Sequence, residues 1–118
     1  MLPKKNRLNL TGTYTKLKQQ ARRVSAPFVS LLVARQPNPE VSESTFGIIV
    51  PKKMDKRSTR RQRTKRLISE AIRTLLPRIS KGYAVIVFPR TILWKEEITS
   101  VTPQVEDVLK KAGLISEL

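Results

Sequence analysis

Within residues 56–66 the chain carries Lys56, Arg57, Arg60, Arg61, Arg63, Lys65 and Arg66, with no acid among them. The chemistry that such a run supports is electrostatic. A guanidinium is a planar fork of N–H donors that grips two phosphate oxygens or lies flat on a base, which an ammonium does less well. Thr59, Gln62 and Thr64 stand between the cations and add neutral donors for phosphate or sugar oxygens. No rival chemistry competes. With neither histidine nor cysteine, the chain has no Ser-His-Asp triad, no thiolate metal site and no disulfide. Its acids are Asp55 and Asp107 and the scattered Glu40, Glu43, Glu70, Glu96, Glu97, Glu106 and Glu117, without the paired spacing of a two-metal site.

An element must hold these cations. The run passes directly into Leu67, Ile68, Ala71, Ile72, Leu75 and Leu76, one apolar stripe at helical spacing. Arg63, Arg66, Glu70 and Arg73 then fall opposite that stripe. Glu70 is spaced to pair with Arg66 and Arg73, but each such pair contributes only about 0.2–0.5 kcal/mol, too little to account for so much charge. An ordinary solvated face mixes signs, whereas from residue 52 to 66 the only acid is Asp55. The pattern favours a shaped surface for a polyanion. Ser58 or Thr59 is placed to cap this helix, and Pro77 to end it.

The remaining pattern predicts a helix over residues 14–22, a strand from Phe28 to Val33 opened by Pro27, a loop at 36–40 and a strand over 46–50. Gly82 precedes a continuous apolar strand over 83–88. Thr102-Pro103 reads as the start of a last helix, with Val105, Val108, Leu109 and Ala112 on one side and Gly113 at its end. An α+β sandwich follows, with helices packed on a small central sheet.

The chain has 118 residues, 39% of them hydrophobic, which suits one domain with one modest core. Its formal net charge is +15 and its pI about 11.0, the footprint of a nucleic-acid binder or of a protein on an anionic membrane. The basic helix's opposite face reads as core rather than as a lipid-insertion face, so no membrane partner is expected. The N-terminus lacks the apolar stretch of a secretory signal, and no segment is apolar enough for a span.

Lys52 and Lys53 follow Pro51 at a strand end; they either guard an edge or extend the basic surface. Lys4, Lys5 and Arg7 form a flexible basic arm over residues 1–8 or merely a solubilising terminus. Tyr14 either stacks on an unpaired base or closes the core edge. Phe28, Phe46, Tyr83 and Phe88 read as core, and Trp94 as a cover for the base of the last helix.

Taken in order, these residues resemble the family of bacterial ribonuclease P protein subunits. The resemblance rests on Leu2-Pro3-Lys4-Lys5-Asn6-Arg7-Leu8, on Ser25-Ala26-Pro27-Phe28 and on Gly47-Ile48-Ile49-Val50-Pro51-Lys52-Lys53. It rests further on Arg61-Gln62-Arg63-Thr64-Lys65-Arg66 with Glu70 and Arg73 downstream, and on Leu109-Lys110-Lys111-Ala112-Gly113. The resemblance implies a small α-β sandwich with a left-handed βαβ crossover, of the kind also found in a ribosomal-protein domain; composition cannot predict that hand. It implies a cytoplasmic, monomeric, non-catalytic protein in a 1:1 ribonucleoprotein. The ribonuclease P RNA would cut precursor tRNA with bound Mg2+, and the protein would assist removal of the 5′ leader. Lys52, Lys53, Lys56, Arg57, Arg60, Arg61, Gln62, Arg63, Lys65 and Arg66 would contact the RNA, and Tyr14, Lys18 and Leu32 would line the leader cleft. The chain departs from the family in Gln62, where asparagine is usual, and in one extra residue between Lys53 and Arg61. Lys18 and Leu32 also stand where aromatics are common, which points to leader binding that is more electrostatic and more salt-sensitive. The alternative is a small basic protein of the ribosome or its assembly.

Overall fold

The computed structural model describes residues 6–8, 21–36, 43–91 and 93–115. Four strands, β1 (Arg22–Ser25), β2 (Val29–Arg35), β3 (Thr45–Ile48) and β4 (Tyr83–Pro89), form one sheet in the order β1-β2-β4-β3. β1 and β2 are antiparallel, as are β2 and β4, whereas β3 runs parallel to β4. Parallel neighbours need a crossover, and helix α1 (Ser58–Leu75) with a 3-10 turn (Leu76–Arg78) supplies it. Helix α2 (Ile98–Lys111) closes the described chain.

Alternation along the strands sorts the sheet into two faces. Val29, Leu31 and Val33 of β2, Val85 and Val87 of β4 and Phe46 of β3 point towards the helices. There they meet Ile68, Ala71, Ile72 and Leu75 of α1 and Val101, Val105, Val108 and Leu109 of α2. Ile68, Ile72 and Val108 have no exposed surface at all, so the α1 stripe is firmly seated. The opposite face carries a smaller buried cluster, Ala34, Ala84 and Ile86, with Leu8, Ala21, Leu32, Ile49 and Phe88 packed around it.

Several expectations change. Arg22 opens a strand rather than closing a helix; the rest of the helix expected over residues 14–22, apart from Ala21, lies outside the described residues. Arg22 pairs with Val33 and its guanidinium donates to the Ala112 carbonyl at the end of α2. A cation at a helix C-terminus is favourable, and tertiary contact thus overrides local pattern. Phe28 sits in the β1–β2 turn, 45% exposed, because the strand starts one residue later at Val29. Neither Ser58 nor Thr59 caps α1; the N-cap is Arg57, whose N–H donates to Asp55 Oδ1 at 3.1 Å. Asp55 thereby forms a turn on its own loop and starts the helix early. α2 begins at Ile98 with Pro103 inside it. Thr102 Oγ1 donates back to the Ile98 carbonyl at 2.8 Å instead of capping. Pro103 removes only the N–H that would reach Thr99, an exposed residue near the helix start.

The end of α2 is as expected. Gly113 adopts φ +76, and Gly113 and Leu114 donate to the carbonyls of Lys110 and Leu109, both at 3.0 Å. These two bonds and the buried Leu109 and Leu114 make a Schellman end. Residues 6–8 are docked rather than free. Arg7 bridges Phe46, Leu8 donates to the Phe46 carbonyl at 3.0 Å, and buried Asn6 donates from Nδ2 to the Ser44 carbonyl at 2.9 Å. Residues 1–5 of the expected arm lie outside the described residues.

Candidate nucleic-acid interface

The sheet and α1 hold the cations in a fixed order. β3 ends at Ile48, and Pro51 starts a turn in which the Met54 N–H donates to the Pro51 carbonyl at 3.1 Å. Lys52 and Lys53 occupy that turn and are exposed, as are Lys56 and Arg57 on the approach to α1. With about 100° per residue, the α1 cations divide around the helix. Gln62 and Arg66 point outward and are exposed, with Arg73 two turns beyond. Arg61 and Lys65 lie on one flank, half-buried. Arg60 and Arg63 lie on the other.

Each flank is tied down. Arg61 Nη1 donates to the carbonyls of Asp55 at 2.9 Å and Lys56 at 3.1 Å, closing the β3–α1 loop onto the helix. Arg60 Cζ lies 4.2 Å from the centroid of the Trp94 ring, and Arg63 Nε donates to the Trp94 carbonyl at 2.6 Å. Trp94, in the turn that leads into α2, thus also contacts the basic helix. The first turn of α1 has no acid and no side-chain cap. Its free N–H groups and the positive end of the dipole reinforce the same sign of field.

Asp55 is the one acid within the basic loop, and other acids pair with cations beyond the helix start. Glu43 pairs with Lys81 at 3.4 Å, and Glu70 approaches Arg73 at 4.0 Å. Glu106 takes Arg78 at 2.9 Å and Lys110 at 3.4 Å, and those two cations, Arg78 foremost, hold its carboxyl below the ordinary carboxylate range. Among the described residues no three acidic side chains converge into a metal cage.

The second site expected from the sequence is only partly described, since Tyr14 and Lys18 lie outside the described residues. Leu32 is half-buried on the sheet face away from the helices. Its neighbours across the strands are Arg23 and Ile86, and Ser30 beside it pairs with Phe88. Arg23, Ser30, Leu32, Phe88 and Arg90 line an open depression of about 440 Å³. Arg90 is anchored by donating to the Ala26 carbonyl at 2.9 Å, while its N–H donates to the Phe28 carbonyl at 2.8 Å. An apolar floor between two guanidinium groups suits an unpaired polynucleotide strand, base down and phosphate at the rim. Sequence reading missed Arg23, Phe88 and Arg90. The signal for Phe88 was alternation: it shares the face of Ile86, opposite the core-facing Val85 and Val87.

The family profile for Ribonuclease P matches residues 2–113. A ribonuclease P protein component of Xanthomonas oryzae pv. oryzae is 32% identical over 117 residues, covering 96% of this chain and 74% of that protein. One from Pseudanabaena sp. is 27% identical over 115 residues, covering 98% and 97%. The solved ribonuclease P protein of Staphylococcus aureus superposes with a TM-score of 0.80 at 21% identity, over 94% of this chain and 98% of that one.

Proposed function

Since the chain belongs to the bacterial ribonuclease P protein family, we propose that its basic helix start binds the catalytic RNA of that enzyme and that the open face of its sheet receives the 5′ leader of precursor tRNA. Membership makes the chain the protein component of an endoribonuclease that works as a ribonucleoprotein with an RNA partner. Nothing observed favours a role in ribosome assembly. The finer assignments are our reading of this molecule.

One observation carries it. Lys52, Lys53, Lys56, Arg57, Arg60, Arg61, Gln62, Arg63, Lys65 and Arg66 sit on one loop and one helix start, whose inner side is sealed by Ile68 and Ile72 at zero exposure. A cation array on a rigid backbone meets phosphates without losing loop entropy on binding. The leader role is supported by the depression between Arg23 and Arg90, with Leu32 at its floor. Catalysis belongs to the RNA in this reading. In the same reading Mg2+ is held mainly by RNA phosphates, whose oxygens suit that hard cation. As part of the same reading we place the protein in the cytoplasm, as a monomer in a 1:1 complex with that RNA. Among the described residues no helix is long and apolar enough to cross a membrane.

The test is equilibrium binding of the full chain to its cognate catalytic RNA across salt concentrations. Arg66→Ala removes a fully outward cation. Affinity should fall roughly tenfold and the salt slope by about 0.9, the signature of one lost phosphate contact. Thermal unfolding should be unmoved. Unchanged affinity at moderate salt would turn the helix start away from the RNA.

A further inference from the structure

We propose that Trp94, in the turn between β4 and α2, is a positioning residue that pre-shapes a three-cation phosphate clamp made of Arg60, Arg63 and Lys95. The inference rests on the reading that the start of α1 binds RNA, and adds to it a second element, remote in sequence, that makes the site.

The turn is rigid at its root. Leu93 is 2% exposed, and its carbonyl accepts the Glu96 N–H at 2.9 Å, which places Trp94 and Lys95 at the turn's two central positions. From there Trp94 addresses two arginines one helical turn apart by two different parts of itself. Its ring lies 4.2 Å from Arg60 Cζ, and its carbonyl accepts from Arg63 Nε at 2.6 Å. Lys95 Nζ lies 5.3 Å from the same ring.

Three like charges around one half-buried side chain repel one another. None of the ion pairs among the described residues involves Arg60, Arg63 or Lys95. The ring quadrupole offsets part of the repulsion. It also does so without using the donors: a guanidinium lying on an aromatic face keeps its in-plane N–H groups for an acceptor, and Arg63 held at Nε keeps its terminal nitrogens. The cluster thus presents unspent donors at fixed positions, which is what a polyanion backbone needs and what an isolated protein does not. The occupant is a phosphodiester stretch of the RNA that α1 already binds.

Trp94 is the only tryptophan in the chain, so its emission reports on the clamp directly. Four full-length variants, Trp94→Phe, Trp94→Leu, Arg60→Ala and the Trp94→Leu/Arg60→Ala double, are compared with the wild type for binding to the cognate catalytic RNA over a salt series. Trp94→Leu should weaken binding about three- to tenfold with the salt slope unchanged, since the cations remain but must be ordered on binding. Arg60→Ala should weaken binding and lower the slope by about 0.9, because a contact is gone. Trp94→Phe should recover most of the affinity, and the double variant should be no weaker than Arg60→Ala alone by more than about twofold. In free protein, Arg60→Ala should shift the tryptophan emission, and RNA should shift it in the wild type.

If Arg60→Ala weakens binding while Trp94→Leu matches the wild type, or if Trp94→Phe is as weak as Trp94→Leu, the positioning role is overturned and the helix reading stands. If Arg60→Ala and Arg66→Ala both bind like the wild type, the helix reading itself fails. Should Trp94→Leu not fold, the emission measurements decide: wild-type emission indifferent both to Arg60→Ala and to RNA would overturn the proposal.

Discussion

Arg61 reaches back six residues to donate from Nη1 to the carbonyl oxygen of Asp55 at 2.9 Å. One arginine of the basic run is therefore committed to the shape of its own loop, while Arg66, one and a half turns on, is exposed on the outward side of the helix. Asp55, the only acid from residue 52 to 66, works on the same loop by accepting the Arg57 N–H. The prediction is a split between two residues of identical chemistry. Arg61→Ala should lower stability by about 1 kcal/mol, the scale of a partly exposed hydrogen bond. Arg66→Ala should stay within about 0.5 kcal/mol. Urea unfolding of the two variants checks this, and equal losses would remove the distinction.

Leu32 leads to a gain-of-function expectation. It lies on the depression between Arg23 and Arg90 and offers a base only apolar contact. A base stacked on an aromatic gains about 1–3 kcal/mol. Leu32→Tyr should therefore tighten binding of leader-bearing precursor tRNA at least about fivefold in the presence of the catalytic RNA, and leave mature tRNA unaffected. Arg23→Ala should weaken the precursor alone and flatten its salt dependence. Equal changes for precursor and mature tRNA would deny this face the leader.

Glu106 carries a pH dependence whose sign is set by its partners. Hydrogen bonds from Arg78, and then from Lys110, hold its carboxyl below the ordinary range. A depressed carboxylate stabilises the fold above its unfolded pKa of about 4.3, and that contribution is lost as pH falls through the lower folded value. Glu106→Gln should thus unfold at lower temperature than the wild type near neutral pH. The gap should close as pH falls below about 4. A gap that is constant from pH 7 to pH 3 would mean that Glu106 acts by packing and not by charge.

The apolar interior is expected to behave as one unit. Ile72 has no exposed surface and sits between the sheet and the outward cations of α1. Ile72→Ala should cost about 2–5 kcal/mol. RNA affinity should fall only in proportion to the unfolded fraction, because no cation has moved. Gly113→Ala, at φ +76, should cost about 1 kcal/mol through backbone strain at the Schellman end. Calorimetry distinguishes the two.

What was readable in the sequence follows the physics of each element. The α1 stripe was readable because six apolar residues repeat at helical spacing, and β4 because it is buried on both faces and apolar throughout. β1 was not: Arg22-Arg23-Val24-Ser25 has no alternating apolar pattern and is a strand because it pairs with β2. The start of α2 was misplaced because Thr102-Pro103 resembles a cap, yet a proline so near a helix start removes a single bond. In the basic site the residue types were evident and their division around α1 followed from geometry. The meeting of Arg60 with Trp94, 34 positions apart, could not be read, since nothing local encodes a contact made by folding. Phe28 and Phe88 show the same limit: aromatic in strand-like runs, they lie at a turn and on the open sheet face.

The most direct test of the whole account is reconstitution at low Mg2+, with precursor tRNA as substrate and three samples: cognate catalytic RNA alone, this protein alone, and both. The account predicts no cleavage by the protein, slow cleavage by the RNA, and a sharp rise when the two are combined, with the rise reduced by Arg66→Ala. Cleavage by the protein alone, or a rate with both that equals the rate of the RNA, would contradict it.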